Sequence, residues 1–494
     1  MQHAFPFSWF AAAFALYTAL LFVVSHVTAR RAAGRGFFAG DRKAPWPVVA
    51  YGMVGASISG VTFISVPGNV WVQNFYYMPL VLGFVGGYIV VAKVLLPLYY
   101  RMNLTSIYTW LGDRFGPRSH RTGTVVFMIS RLLGAAVRIF VVMVVFHAFL
   151  PREWTAGGGL TAFALVTLVF LILLYLYTYR GGVKTIIWTD VLQTTFMLLA
   201  VGLAIWQICR EPSVTWAAVS AHTAWFNWDW SAGNNALKQF VSGIFITIAM
   251  TGLDQSMMQK NLACKDLRAA QKNMYTTSAI IVAVNLFFLL LGALLCVYTE
   301  GLGGMEALGI TKTDQLFPTI ASRYLGLGAG VFFLIGLISA SYPSAGAAMT
   351  SLTTSVCVDF LGFNDRQDWD EARKGKVRKG VQALVGLLFF VLILLLFLYS
   401  NDAVINLVYK LASYTYGPLL GLFFFGILSK RPVCDRATPW IALAAPLLCL
   451  ALNLLGKRYL GFDLGFTLLI VNGLLTYLGM WVSSLAATRK IARR

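Results

Sequence analysis

Apolar residues fall in runs of about twenty along this whole chain, and polar and charged residues gather in the short stretches between them. Counting runs between charged or Gly/Pro-rich breaks predicts thirteen helices long enough to cross a bilayer. They lie at 8–28, 44–70, 75–99, 122–150, 160–179, 185–209, 238–258, 275–299, 327–358, 380–400, 404–428, 438–455 and 464–486. With 58% hydrophobic and 12% charged residues among 494 positions, nearly every residue can join one helical bundle in lipid, so the chain reads as one all-α transmembrane domain. The first run has no basic segment before it and no small-residue cleavage site after it, which marks a retained helix rather than a signal peptide.

The net charge of +20 does not point to nucleic acid, because the Lys and Arg residues sit in short clusters between apolar runs instead of along one folded face. With the N-terminus outside, about 28 of them fall in inside loops against about 6 outside, the bias that sets topology. This predicts a multi-pass protein of the plasma or inner membrane with its C-terminus in the cytoplasm. The six cysteines share no metal-ligand spacing and no common short loop, so neither a disulfide framework nor a thiolate metal site is expected. Five histidines, none within a Ser/His/Asp grouping or a metal-ligand cluster, argue against an enzyme.

Two spans break the apolar pattern. The second carries Gly55, Ser57, Ser59, Gly60, Thr62, Ser65, Pro67 and Gly68, a density of small and helix-breaking residues that lipid tolerates only where unwound backbone faces a cavity. The seventh holds Thr251, Gly252, Asp254 and Gln255 at its inner half. The two lie five spans apart, so spans 2–6 and 7–11 form candidate inverted repeats (44–209 and 238–428), flanked by one extra N-terminal helix (8–28) and two C-terminal ones (438–486). The alternative is that the small residues merely let helices pack closely.

Charges inside the apolar runs are the candidate chemistry, since an ionisable group at membrane depth usually lines an ion or substrate path. Asp190 begins the sixth run and Asp254 lies within the seventh beside Gln255. Capping or pairing near Lys184 is the bland reading of Asp190, and pairing with Lys260 to close a gate is that of Asp254. Arg131 and Arg138, seven residues apart in span 4, share a helical face, and Arg138 falls near mid-membrane. Its planar donors suit a carboxylate, although internal pairing with Asp254 or Asp190 is the competing reading. Ser57, Ser59, Thr62, Tyr77 and Asn74 remain to line a pocket, with Met257 and Met258 as adaptable walls. Lys410, with Tyr409, Tyr414 and Tyr416 around it, reads as a snorkelling residue in a membrane aromatic belt.

Four stretches in order carry a resemblance that covers nearly the whole chain: Gly55 to Gly68, Trp188-Thr189-Asp190 with Gln193, Gly252 to Leu262, and Ala340 to Asp359. The sequence resembles the sodium/solute symporter family of the LeuT-like fold, which includes sodium-coupled sugar, proline and sialic acid transporters. The resemblance implies alternating-access symport of a small solute with sodium as coupling ion. By position, the ion would be held by carbonyls of Gly55, Ile58 and Ala340 and by the hydroxyl of Ser344. Pro343 stands where relatives place a further hydroxyl, and Gly346 and Ala347 stand where some complete a second sodium site, so that second site is expected to be absent.

The same resemblance places Asp190 on the sodium exit path and makes Arg131 and Arg138 candidates for holding a substrate carboxylate. Asp254 replaces the asparagine of many sugar-transporting relatives, and Val81 and Phe84 fall at polar sugar-contact positions, so a sugar is disfavoured. Ser57, Ser59, Thr62, Tyr77, Arg131, Arg138, Asp254 and Gln255 form the candidate substrate set. Rival expectations are a proton-coupled or uncoupled carrier of the same fold, and a solute sensor without transport. The expected partners are a small solute and the lipid bilayer, with the chain a monomer or weak oligomer.

Overall fold

The computed structural model describes residues 6–30, 43–102, 104, 106–155, 159–179, 182–363, 366, 368–399, 404–460 and 464–492. Among these, eleven single helices are long and apolar enough to cross a membrane, and two bent pairs bring the count to thirteen. We number the spans α1 (Phe7–Arg30), α2 (α2a, Trp46–Ser57; α2b, Gly60–Gln73), α3 (Met78–Arg101), α4 (Pro117–Ala148), α5 (Leu160–Thr178) and α6 (Gly182–Ile208). There follow α7 (α7a, Ala236–Gly252; α7b, Gln255–Leu262), α8 (Leu267–Gly301), α9 (Gly326–Phe360), α10 (Glu371–Tyr399), α11 (Val404–Leu428), α12 (Thr438–Leu460) and α13 (Leu468–Ala492). The seventh apolar run stops at 258, but the chain continues helical to Leu262 because α7b is polar and leaves no hydropathy signal.

Both breaks fall where the sequence concentrates residues that compete with helical hydrogen bonding. In α2 the backbone turns extended at Ile58 (φ −89°, ψ 100°) and Ser59 (φ −89°, ψ 174°), and the two halves meet at 60°. In α7 a wide turn over Ile248–Gly252 leads into Leu253 and an extended Asp254, and the bend is 67°. Asp254 Oδ1 accepts from the N–H groups of Ser256 (2.8 Å) and Met257 (3.2 Å), which caps α7b and defines where it restarts.

The bent spans sit inside the bundle and the peripheral helices meet lipid. α6 packs against α9, α2a and α8, while α10 and α12 turn side chains such as Leu384, Leu387, Leu443 and Leu447 outward, as helices at a bilayer boundary do. α3 and α7a cross backbone to backbone: a Cβ on Gly83 would lie 2.1 Å from the Phe240 carbonyl oxygen, and one on Gly243 would lie 2.1 Å from that of Leu80. Small residues admit this approach without a hydrophobic drive between helices.

Candidate functional site

The two breaks treat their loosened backbone differently. At α7, tyrosine hydroxyls donate to the exposed carbonyls, Tyr99 to Gly252 (3.0 Å) and Tyr108 to Leu253 (2.8 Å), so that end is sealed within protein. At α2 the Gly55 carbonyl accepts no hydrogen bond among the described residues. The chain just beyond it, Ala56 to Ser59, walls a cavity of about 100 Å³. Oxygen left unpaired beside a cavity is what a hard cation needs in place of water.

Ser57, Ile58, Ser59, Thr62, Tyr77, Arg131 and Arg138 all line this cavity. Phe84 from α3 and Met257 from α7b join them, whereas Val81 is fully buried and Asn74, Met258, Asp254 and Gln255 are not on the wall. Sequence reasoning missed Tyr88, Asn285 and the face of α7a at Ile246, Thr247 and Met250. Those residues sit in long apolar runs, where one hydroxyl or amide does not stand out from the pattern.

The arginines of α4 divide their roles. Arg131 Nη1 lies 3.6 Å from Asp254 Oδ2, with exposures of 5% and 0%, and Tyr416 Oη donates to the same carboxylate oxygen at 2.6 Å. Tyr416, expected in a membrane belt, is instead a buried donor at this ion pair. In the sequence it is one more aromatic of a largely apolar run, and its hydroxyl does not stand out. Pairing of Arg138 or Lys260 with Asp254 was the sequence alternative, and the structure gives that place to Arg131. Arg138 Nη1 donates to Ser344 Oγ and Arg131 Nη2 to the Ser344 carbonyl, both at 3.4 Å, so Ser344 turns toward α4. Ala340 is fully buried one turn earlier, and Pro343 between them has no N–H to offer the Ser339 carbonyl. A Cβ on Gly346 would meet Thr178, Tyr177 and Leu174 of α5, so that position faces a helix rather than the cavity.

All eight residues of α7b are buried, and three consecutive side chains fasten it to three helices. Gln259 Nε2 donates to Thr354 Oγ1 of α9 at 2.8 Å, Lys260 Nζ to Asp190 Oδ2 of α6 at 2.5 Å, and Asn261 Oδ1 accepts from Asn273 Nδ2 of α8 at 2.5 Å. Gln255 Oε1 accepts from the Ile107 N–H in the segment after α3. Asp190 is therefore not a helix-start cap: it lies nine residues into α6, wholly buried, against Lys260. Gly52 and Gly55 let α2a press on this stretch, since a Cβ on Gly52 would lie 3.1 Å from Asp190 Cβ and one on Gly55 would lie 2.3 Å from Thr194 Oγ1. Lys410 is exposed, consistent with snorkelling, and the Tyr409 side chain lies outside the described residues.

Comparison with known proteins agrees with this architecture. The profile of the sodium:solute symporter family matches residues 37–437. A sodium/sialic acid symporter of Proteus mirabilis (strain HI4320) is 22% identical over 94% of this chain and 92% of its own. The human sodium-coupled monocarboxylate transporter 1 is 24% identical over 80% of this chain and 64% of its own. A solved structure of a Na+-coupled sialic acid symporter, substrate-bound and outward-open, superposes with a TM-score of 0.81 at 18% identity, covering 97% of this chain and 98% of that one. The fold is therefore shared, and with the family profile spanning most of its length the chain belongs to the sodium:solute symporter family.

Proposed function

We propose that this protein carries a small carboxylate-bearing solute across the cell membrane with sodium, by alternating access around the α2 break. The observation that carries the solute class is the wall of the cavity, which among the described residues presents two guanidiniums, Arg131 and Arg138, and no carboxylate. A cavity so charged favours an anion, and a planar fork of donors matches two carboxylate oxygens. Arg138, on the cavity wall near the middle of α4, is the proposed contact for the carboxylate, with Ser57, Ser59, Thr62 and Tyr77 as polar neighbours and Arg131 tied to Asp254.

For the ion, the carbonyls of Gly55, Ile58 and Ala340 with the Ser344 hydroxyl are the proposed ligands. Support comes from the Gly55 carbonyl, which has no donor, and from Ile58, where the chain is extended at the cavity edge. Sodium binding would tie α2 to α9, and it drives transport only through its difference in affinity between the two facing states. One charge moved inward across about 100 mV supplies about 2.3 kcal/mol. A proton-coupled reading draws on one feature, the Ser344 Oγ already accepting from Arg138.

We further assign residues 44–209 and 238–428 as the two repeats, 8–28 and 438–486 as peripheral helices, the N-terminus to the outside, and a monomeric or weakly associated state. Uptake of labelled organic acids into proteoliposomes tests the reading. Accumulation under an imposed sodium gradient and not under a proton gradient is the expected result. The reverse pattern moves the coupling to protons, and solute binding without accumulation under either makes the protein a sensor.

A further inference from the structure

The start of α10 carries five cations within seven positions, Arg373, Lys374, Lys376, Arg378 and Lys379, and no acid lies between Glu371 and Tyr399. Helical spacing sorts them by face. Gln382, Val385, Phe389 and Ile393 recur three or four positions apart and are buried against the bundle. The opposite stripe begins with Arg373, Lys376 and Gly380 and continues with Leu384, Leu387 and Val391, all of them exposed. It stays apolar as far as Leu398, about 21 Å beyond Leu384 at the rise of a helix. One surface line is thus cationic at its foot and apolar above. Two details mark the junction. A Cβ on Gly380 would meet nothing within 4 Å, so no neighbouring helix accounts for a residue that weakens a helix interior. Trp369 lies beside the cations, with the Arg366 and Arg373 guanidiniums each 4.7 Å from its ring centre, and an indole belongs at the level of lipid headgroups.

Lipid covers the leucine part of this stripe and the cations continue it, so an anion that neutralises them shares the surface with acyl chains. We propose that the start of α10 is a docking surface for an anionic phospholipid, its phosphodiester held by Arg373 and Lys376 over the open Gly380 and one acyl chain laid along Leu384, Leu387 and Val391. A soluble anion gains from the charges alone, whereas the phospholipid gains from both halves of the stripe. The acids close by, Asp368, Asp370 and Glu371, do not cancel the five cations. Asp370 Oδ1 accepts from the Arg373 backbone N–H at 2.9 Å, and Asp368 lies 4.0 Å from Arg366. Lipid held on the outer stripe steadies α10 against α5, to which Gln382 Nε2 donates through Thr178 Oγ1 at 2.6 Å and over whose Tyr179 ring Lys379 lies at 5.5 Å. The inference needs α10 at the bilayer and is independent of which solute and ion are carried.

The experiment is thermal unfolding of the purified, delipidated full-length chain in a neutral detergent, titrated with phosphatidylglycerol, with phosphatidylcholine of the same chains, or with inorganic phosphate. Phosphatidylglycerol is expected to raise the melting temperature, and the other two are not. Arg373→Gln/Lys376→Gln should need about thirtyfold more phosphatidylglycerol for the same rise, about fivefold for each cation removed. Arg268→Gln/Lys272→Gln removes two exposed cations from the start of α8, on the same side of the membrane, and should keep the unaltered response. Gly380→Glu sets a carboxylate where the phosphodiester would lie and should weaken the response, which keeps the test open should the charge variant not fold. Equal loss in the two double variants overturns the inference, because net charge alone then sets the response. So does a full response in Gly380→Glu, an equal rise with phosphatidylcholine, a rise with inorganic phosphate alone, or no rise on the unaltered chain.

Discussion

Arg131 on α4 and Asp254 at the α7 break form a buried ion pair with 3.6 Å between Nη1 and Oδ2. It joins α4 to the break of α7, and the same carboxylate caps α7b through Oδ1. Asp254→Asn keeps a capping oxygen and removes the charge, leaving a guanidinium unbalanced in the bundle. Loss of one partner of a buried pair costs about 3–5 kcal/mol. Asp254→Ala loses the cap as well, for about 1 kcal/mol more. Thermal unfolding in detergent is expected to rank unaltered, Asn and Ala proteins in falling order, and an Asn variant that melts with the unaltered protein would show that the pair contributes nothing net.

Arg138 is expected to decide affinity for the solute anion. Arg138→Lys keeps the charge but loses the planar fork, and Arg138→Gln loses both. A charge-assisted hydrogen bond contributes about 1.5–3 kcal/mol, which corresponds to about a tenfold to hundredfold rise in KM for a carboxylate solute, larger for Gln than for Lys. Competition uptake by the acid and its neutral amide provides the check: the amide should lose little affinity in either variant.

The crossing of α3 and α7a leaves no room for a methyl group. Gly83→Ala would place Cβ against the Phe240 carbonyl, backbone that cannot rotate aside, so the helices must separate. Overpacking of this kind costs about 1–3 kcal/mol. The expected readout is a lowered melting temperature together with reduced uptake, whereas Gly134→Ala, where the added carbon would meet nothing within 4 Å, should leave both unchanged.

Topology can be read from two native thiols. Cys209, just beyond α6, and Cys434, between α11 and α12, are exposed, and Cys264, Cys296, Cys357 and Cys449 are buried. Burial also pushes the Cys264 thiol up to about 12, so it carries almost no thiolate near neutral pH. A membrane-impermeant thiol reagent added to intact cells should label Cys209 and spare Cys434, with Cys209→Ser abolishing the signal. Labelling of Cys434 alone would invert the proposed orientation.

The number of spans and both breaks were legible in the sequence because hydropathy and helix-breaking residues act locally. Gly55 to Gly60 announces an unwound segment whatever surrounds it. Partner choice was not legible, since it depends on which helices become neighbours. Lys260 and Asp254 are six residues apart, which made them natural partners on paper, yet the break turns α7b so that Lys260 reaches α6 and Asp254 reaches α4. Likewise Tyr416 looks like any aromatic of a membrane helix until α11 is seen to carry it against Asp254. Gln193 was visible as part of a motif, and its unengaged amide appears only once α6 is packed.

The three consecutive ties of α7b have a kinetic consequence. Gln259, Lys260 and Asn261 each hold a different neighbour, so no rotation about the helix axis releases one without straining the other two. A segment held this way is expected to act as a keystone: a passage past α7b would open only when several helices part together, in one concerted event with a large activation enthalpy. Turnover in a carrier built this way rises steeply on warming, and leak through a half-open passage stays small.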